Sequence, residues 1–145
     1  MKLSTKCRYG LCAMIEIGRR SGGSVPVKRC EISKTQNISR PYLENIFTLL
    51  RNGKLLRSVR GANGGFLLDQ PPGKISLFDI VTALEGSIAP VECLENPVTC
   101  RKTPDCSARK AWKKLYDVQV GVLKNMTLKE MCEMEDSGYT ADYVI

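Results

Sequence analysis

The sequence predicts a mainly α-helical fold with a small β-hairpin wing: a winged helix-turn-helix joined to a long dimerisation helix. Three observations predict it. Two short amphipathic segments flank the turn Asn37-Ile38-Ser39, and a basic hairpin pivoting on Gly61-Ala62-Asn63-Gly64-Gly65 follows them. Ala108, Ala111, Leu115, Val118 and Val122 are spaced 3, 4, 3, 4, which is the seam of a helix that pairs with another helix. Between these parts, Cys93, Cys100 and Cys106 fall in one stretch punctuated by Pro90, Pro97 and Pro104. The expected division is a winged helix-turn-helix over 1–88, a cysteine loop over 89–107, and a dimerisation helix, short last helix and tail over 108–145.

The first helix is expected from about Ser4 to Arg19, with Ser4 or Thr5 as N-cap and the SGGS run at 21–24 as its end. Leu3, Cys7, Leu11, Met14, Ile15 and Gly18 form its apolar stripe, which makes Cys7 a small core residue. Cys12 lies off that stripe, one turn from Arg8 and from Glu16. A second helix fits Val27 to about Gln36 around Ile32. Lys28 and Arg29 are poor company for the positive end of its dipole.

Ser39 is a suitable N-cap for the third helix, and Pro41 is tolerated in its first turn. Leu43, Ile46, Phe47 and Leu50 repeat at helical spacing and face inward, so Pro41, Glu44, Asn45 and Thr48 face outward. Arg51 and Lys54 extend a basic edge. Strands are expected over 55–60 and 66–68, with Arg60 near the hairpin tip. Ser76 and Asp79 form a partial capping box for a fourth helix that Gly86 stops. Trp112, Tyr116 and Leu123 are expected to widen the seam of the long helix. Thr127 to Glu130 caps a last short helix, and a polar acidic tail is expected from Glu133 onward.

Charge is divided unevenly. Residues 1–75 hold 14 Lys+Arg and 4 Asp+Glu, a balance of 14 − 4 = +10, and residues 76–145 hold 8 and 11, a balance of 8 − 11 = −3. A basic winged half is suited to a polyanion such as duplex DNA. No run of apolar residues is long enough for a membrane span, and the opening MKLSTKCRYG has no signal-peptide core, so a cytoplasmic protein is expected. Histidine is absent, which excludes Cys/His zinc fingers and histidine-based catalysis. No nucleotide or flavin motif supports a redox enzyme.

Seven cysteines make an odd number, which fits a closed disulfide framework poorly. Thiolates are soft ligands for zinc, copper(I) or iron–sulfur clusters, and the spacing C-x6-C-x5-C is long for a zinc knuckle. The alternative is a winged-helix DNA-binding protein that is constitutive or thiol-sensing, with a structural zinc or no metal.

Four stretches carry a resemblance: the opening MKLSTKCRYGLCAM, IS-x-x-YLE from Ile38 to Glu44, LL-x-x-VRG-x-x-GG ending at Gly65, and MTLKEM from Met126 to Met131. With the three-cysteine loop, they make the chain similar to the bacterial winged-helix iron–sulfur regulators of the IscR/NsrR family over nearly its whole length. The resemblance implies a DNA-binding repressor that acts as a homodimer on a palindromic operator. It also implies a [2Fe–2S] or [4Fe–4S] cluster on Cys93, Cys100 and Cys106 that responds to iron or cluster status, redox state or nitric oxide. A fourth ligand varies in the family. Some members use a histidine three residues after the last cysteine, where this chain has Arg109; others use a carboxylate on the first helix, where it has Arg8. Cys12, supplied by the second subunit, is the expected fourth ligand, because Cys7, Cys30 and Cys132 are read as inward-facing; the alternative is a water, an external thiol or a carboxylate such as Asp105. Arg8 is expected to favour the Cys12 thiolate.

For DNA, the third helix is expected in the major groove, with Glu44 accepting from a cytosine amine and Asn45 pairing with adenine. Ser39, Tyr42 and Arg51 are expected at phosphates, and Arg40 and Pro41 complete that face. Arg60 is expected at the minor groove.

Overall fold

The computed structural model describes residues 2–138. Its main elements are α1 (Thr5–Arg19), α2 (Arg29–Thr35), α3 (Arg40–Asn52), β1 (Leu56–Val59), β2 (Gly65–Leu68), α4 (Leu77–Glu85), α5 (Ser107–Asn125) and α6 (Leu128–Asp136). The fold is mostly helical, and β1 and β2 pair antiparallel with Leu56 opposite Leu68 and Val59 opposite Gly65. Among the described residues no helix is long and apolar enough to cross a membrane.

Helix α1 is the centre of the core. Ser4 caps it, its hydroxyl accepting from the Cys7 N–H at 3.1 Å. The buried face comprises Cys7, Gly10, Ala13, Met14, Ile17 and Gly18. Leu11 and Ile15 are only half-buried and Leu3 is exposed, so the expected stripe is displaced. The cause is packing on several sides. A Cβ on Gly10 would collide with Leu84 of α4 and crowd Ile46 of α3, and one on Gly18 would meet Cys132 of α6 at 2.8 Å. Two small residues therefore let three helices approach α1, and that broadens the face it hides.

Helix α3 buries the four expected residues, Leu43, Ile46, Phe47 and Leu50. Ser39 holds the N-cap position but makes no capping bond with its side chain, contrary to expectation. Helix α2 begins at Arg29 rather than Val27, because Val27 joins the wing instead. Its N–H and carbonyl exchange bonds with Phe66 at 3.0 and 2.9 Å. Gly65 beside it has φ +154°, and a Cβ there would stand 2.5 Å from the Val27 carbonyl oxygen, so only glycine suits the position.

Both capping boxes form, Ser76 with Asp79 and Thr127 with Glu130. The segments before α4 and before α6 are tied together. Leu77 N–H donates to the Met126 carbonyl and Leu128 N–H to the Ile75 carbonyl, both at 2.8 Å. Helix α6 then lies against α1, with Cys132 and Leu128 buried and Arg19 paired to Asp136 at 2.6 Å. The acidic stretch from Glu133 is thus helical as far as Asp136, and the rest of the expected tail, 139–145, lies outside the described residues. Leu123, Leu128, Met131 and Cys132 share one core with Cys7, Met14, Ile46 and Leu84.

Helix α5 has two distinct sides. Leu123 is buried, and Tyr116 and Val120 pack partly against the core. Trp112, Leu115, Val118 and Val122 face away and are 45, 45, 65 and 58 % exposed. Tyr116 and Leu123 therefore do not widen the seam, because they are the residues that fasten α5 to its own chain.

Candidate nucleic-acid interface and cysteine loop

The outward face of α3 presents Ser39, Arg40, Pro41, Asn45 and Thr48 to solvent. Tyr42 is half-buried, its ring edge-on to Tyr9 of α1 with centroids 5.9 Å apart, so α1 sets its orientation. Glu44 is half-buried too and is not a free acceptor. It pairs with Arg29 of α2, and Arg51 stands 3.7 Å from its other oxygen. Arg51 also donates to the Thr48 hydroxyl at 3.5 Å, and that hydroxyl donates to the Glu44 carbonyl at 2.9 Å. The face thus carries a carboxylate flanked by two guanidinium groups. Sequence reasoning missed Arg29 and Tyr9. The signal for Arg29 was a basic residue against the α2 dipole, a local cost that the Glu44 carboxylate offsets.

Arg60 follows β1 directly and is exposed at the hairpin. The turn is closed by Gly64 N–H donating to the Gly61 carbonyl at 3.0 Å, with Gly61 at φ +107°. Arg57 on the same strand lies 3.9 Å from Asp69.

The cysteine loop is built from three short 3-10 turns, Glu92–Leu94, Pro97–Thr99 and Thr103–Asp105. Cys93 and Cys106 are half-buried and Cys100 is exposed. Cys106 is the N-cap of α5, and its sulfur accepts from the Arg109 N–H at 3.4 Å. The Arg109 side chain reaches back and donates to the Cys93 carbonyl at 3.1 Å. Arg109 therefore pins both ends of the loop to α5. The donor chemistry suits an iron–sulfur cluster, since three thiols lie on one adaptable loop. Among the described residues, however, no three Cys, Asp or Glu side chains are gathered into a metal-holding set.

Cys12 is exposed on α1 and lines a hollow with Ile15, Glu16, Arg19, Gln36 and Glu135, apart from the loop of its own chain. The packed protein around it and the Glu135 carboxylate push its thiol pKa up, and Arg8 pulls down without prevailing. Arg8 thus acts in the expected direction, toward the thiolate, and is outweighed by its surroundings. Cys7 is sealed, its thiol pushed up to about 11 by burial and by the charge and hydrogen bond of Glu85.

The same Glu85 joins two parts of the chain. Its Oε1 accepts from the Ser4 N–H at 2.9 Å and from the Ser4 hydroxyl at 2.5 Å. These bonds hold the Glu85 carboxyl below the usual glutamate range.

A family model described as Rrf2, iron-dependent transcriptional regulator, matches residues 3–134. The chain belongs to the Rrf2 family. This Rrf2 protein is 39 % identical over 136 residues to the HTH-type transcriptional regulator CymR of Bacillus subtilis, covering 94 % of this chain and 93 % of that one. It is 35 % identical to the HTH-type transcriptional regulator IscR of Cronobacter sakazakii, covering 94 % and 83 %. Among solved structures it is similar to CymR, described as the global cysteine regulator of B. subtilis, with a TM-score of 0.76, 38 % identity, and 92 % and 97 % coverage. It is also similar to T. potens IscR, with a TM-score of 0.75, 33 % identity, and 98 % and 93 % coverage. The Rrf2 chain is a transcriptional regulator with a DNA-binding winged helix, and its relatives are regulators rather than enzymes.

Proposed function

We propose that this Rrf2 regulator is a homodimer on a palindromic operator, governed by the cysteine loop, with Cys93, Cys100 and Cys106 as ligands of an iron–sulfur cluster. The dimer is supported by the seam: among the described residues four large apolar side chains of α5 stay 45–65 % exposed. A second copy supplies the same stripe, and C2 pairing buries both at once. Two α3 helices then enter successive major grooves, with Asn45, Arg40 and the Glu44 carboxylate at base edges. Ser39, Pro41, Tyr42, Arg29 and Arg51 lie toward the backbone, and Arg60 sits at the minor groove.

The observation that carries control by the loop is the position of Cys106 at the head of α5. Iron taken by that sulfur would make the cap a metal-bound thiolate that still accepts the Arg109 N–H, so loop chemistry acts directly on the first turn of the seam helix. Cys12 of the second subunit is the proposed fourth ligand, and ligation there must displace its thiol proton. A bound cluster would supply an oxidisable, iron-dependent tie across the three thiols, in line with the iron-dependent family description.

A second reading is control by thiol chemistry without a cluster. It is favoured by the similarity to a protein described as a cysteine regulator, and among the described residues no three potential ligand side chains are gathered into a metal-holding set. Anaerobic purification with iron and sulfide analysis, a visible spectrum and operator binding separates the two. The first reading expects a coloured protein whose absorbance is lost in Cys100→Ala while its helical circular dichroism stays. A colourless wild-type protein, or full iron in Cys100→Ala, overturns it in favour of the second.

A further inference from the structure

Glu85 is the last residue of α4, and the chain turns at Gly86, with φ +80°, into the segment that becomes the cysteine loop. Ser4, which receives that carboxylate, is the N-cap of α1. The tie therefore joins the root of the loop to the positive end of the helix at the centre of the core, a favourable place for a carboxylate. Beyond Ser4, α1 packs on α3, the helix proposed for the major groove. Tyr9 meets Tyr42, and Gly10 allows Ile46 of α3 and Leu84 of α4 to close together. On its other side, Glu85 shares a hollow with Ser87, Ile88 and Leu115, so it also borders the seam of α5.

We propose that Glu85 is a positioning residue that couples the cysteine loop to the recognition helix, by fixing the N-terminus of α1 through Ser4 and keeping Cys7 sealed. This rests on the reading that the loop governs DNA binding. When the loop rearranges, the chain at Gly86 moves with it and the Glu85 carboxylate is drawn from Ser4. Helix α1 loses its tie, and the contacts at Tyr42 and Ile46 shift the outward face of α3. Hydrophobic packing alone would permit the same fold without such a link. The geometry adds a link where the loop's root meets the capping residue of α1.

Two measurements test this separately from the underlying reading. The first is the rate at which iodoacetamide labels Cys7, followed by mass spectrometry of its peptide. Glu85→Ala should raise that rate about tenfold or more over wild type, and Glu85→Gln, which keeps an acceptor oxygen for Ser4, should restore slow labelling. The second is operator affinity after reconstitution with iron and sulfide, compared with the cleared protein. Wild type and Glu85→Gln should show a ratio of at least about fivefold, and in Glu85→Ala it should fall toward one. Slow Cys7 labelling in Glu85→Ala overturns the tie. A wild-type ratio retained in Glu85→Ala overturns the coupling and leaves the loop's control standing. No ratio in wild type overturns control through iron and sulfide itself, and fast labelling in Glu85→Ala would then leave Glu85 a structural tie only, which also overturns the coupling.

Discussion

Arg29 at the start of α2 is paired with Glu44 on the outward face of α3, and Arg51 stands 3.7 Å from the same carboxylate. The two helices of the helix-turn-helix are thus joined across the face assigned to DNA. The pair is part-exposed, which limits its worth to stability. Its position on the face proposed for DNA leads to an expected effect on recognition. Glu44→Ala frees both guanidinium groups, so total affinity should hold or rise while discrimination at one base pair falls by about 1–3 kcal/mol. Arg29→Ala should weaken all duplexes alike and lower the salt slope of log K by about one unit, and Arg60→Ala should act in the same direction. Titration of two operator variants at several salt concentrations checks this. Unchanged base preference in Glu44→Ala would remove that residue from the reading face.

The seam of α5 gives the next expectation. Val118 is 65 % exposed within one chain, so Val118→Asp should fold with wild-type circular dichroism. Across a dimer interface the same carboxylate would have to be desolvated, and the dissociation constant of the dimer should rise at least about 100-fold. Analytical ultracentrifugation over a concentration series reads this directly. Wild-type association in the variant would move the interface elsewhere.

Cys12 and Cys7 should behave as opposites. Cys12 is open to solvent and Cys7 is buried behind Ser4 and Glu85. If Cys12 of the second subunit is the fourth ligand, Cys12→Ala should shorten the lifetime of the visible chromophore in air with the melting temperature nearly unchanged. Cys7→Ala should leave the spectrum alone and lower thermal stability by about 1 kcal/mol, the cost of a small cavity. A wild-type spectrum and lifetime in Cys12→Ala assign the fourth position to another donor.

Acid stability follows from the hydrogen bonds that Ser4 donates to Glu85. They hold the Glu85 carboxyl below its ordinary value, so its contribution is present above the unfolded pKa of about 4.3. That contribution is lost as pH falls through the lower folded value. Glu130, held down by the Thr127 backbone N–H and hydroxyl, adds in the same direction. Urea midpoints between pH 6 and pH 3 should fall less steeply in Glu85→Gln than in wild type. Parallel curves would mean that Glu85 titrates alike in both states.

The sequence by itself determined what depends on near neighbours along the chain. The inward face of α3 follows from apolar residues repeating at i, i+3, i+4 and i+7, and all four are buried. The capping boxes at Ser76 and Thr127 close within three residues, and Gly61 and Gly65 of the wing adopt backbone angles that other residues avoid. The exposed apolar stripe Leu115, Val118 and Val122 of α5 was legible from its heptad spacing. Only the tertiary structure decided which residues share the other side of α5, because Leu123 differs from Val118 in what the core places beside it and not in chemical kind. It also decided that α1 hides Gly10, Ala13 and Ile17, since small residues matter only where other helices press on them. Ser4 meets Glu85 across 81 positions and Arg19 meets Asp136 across 117. No local rule reaches that far, because periodicity and capping act over about one helical turn. Pairs so distant are brought together by the burial of the core they border.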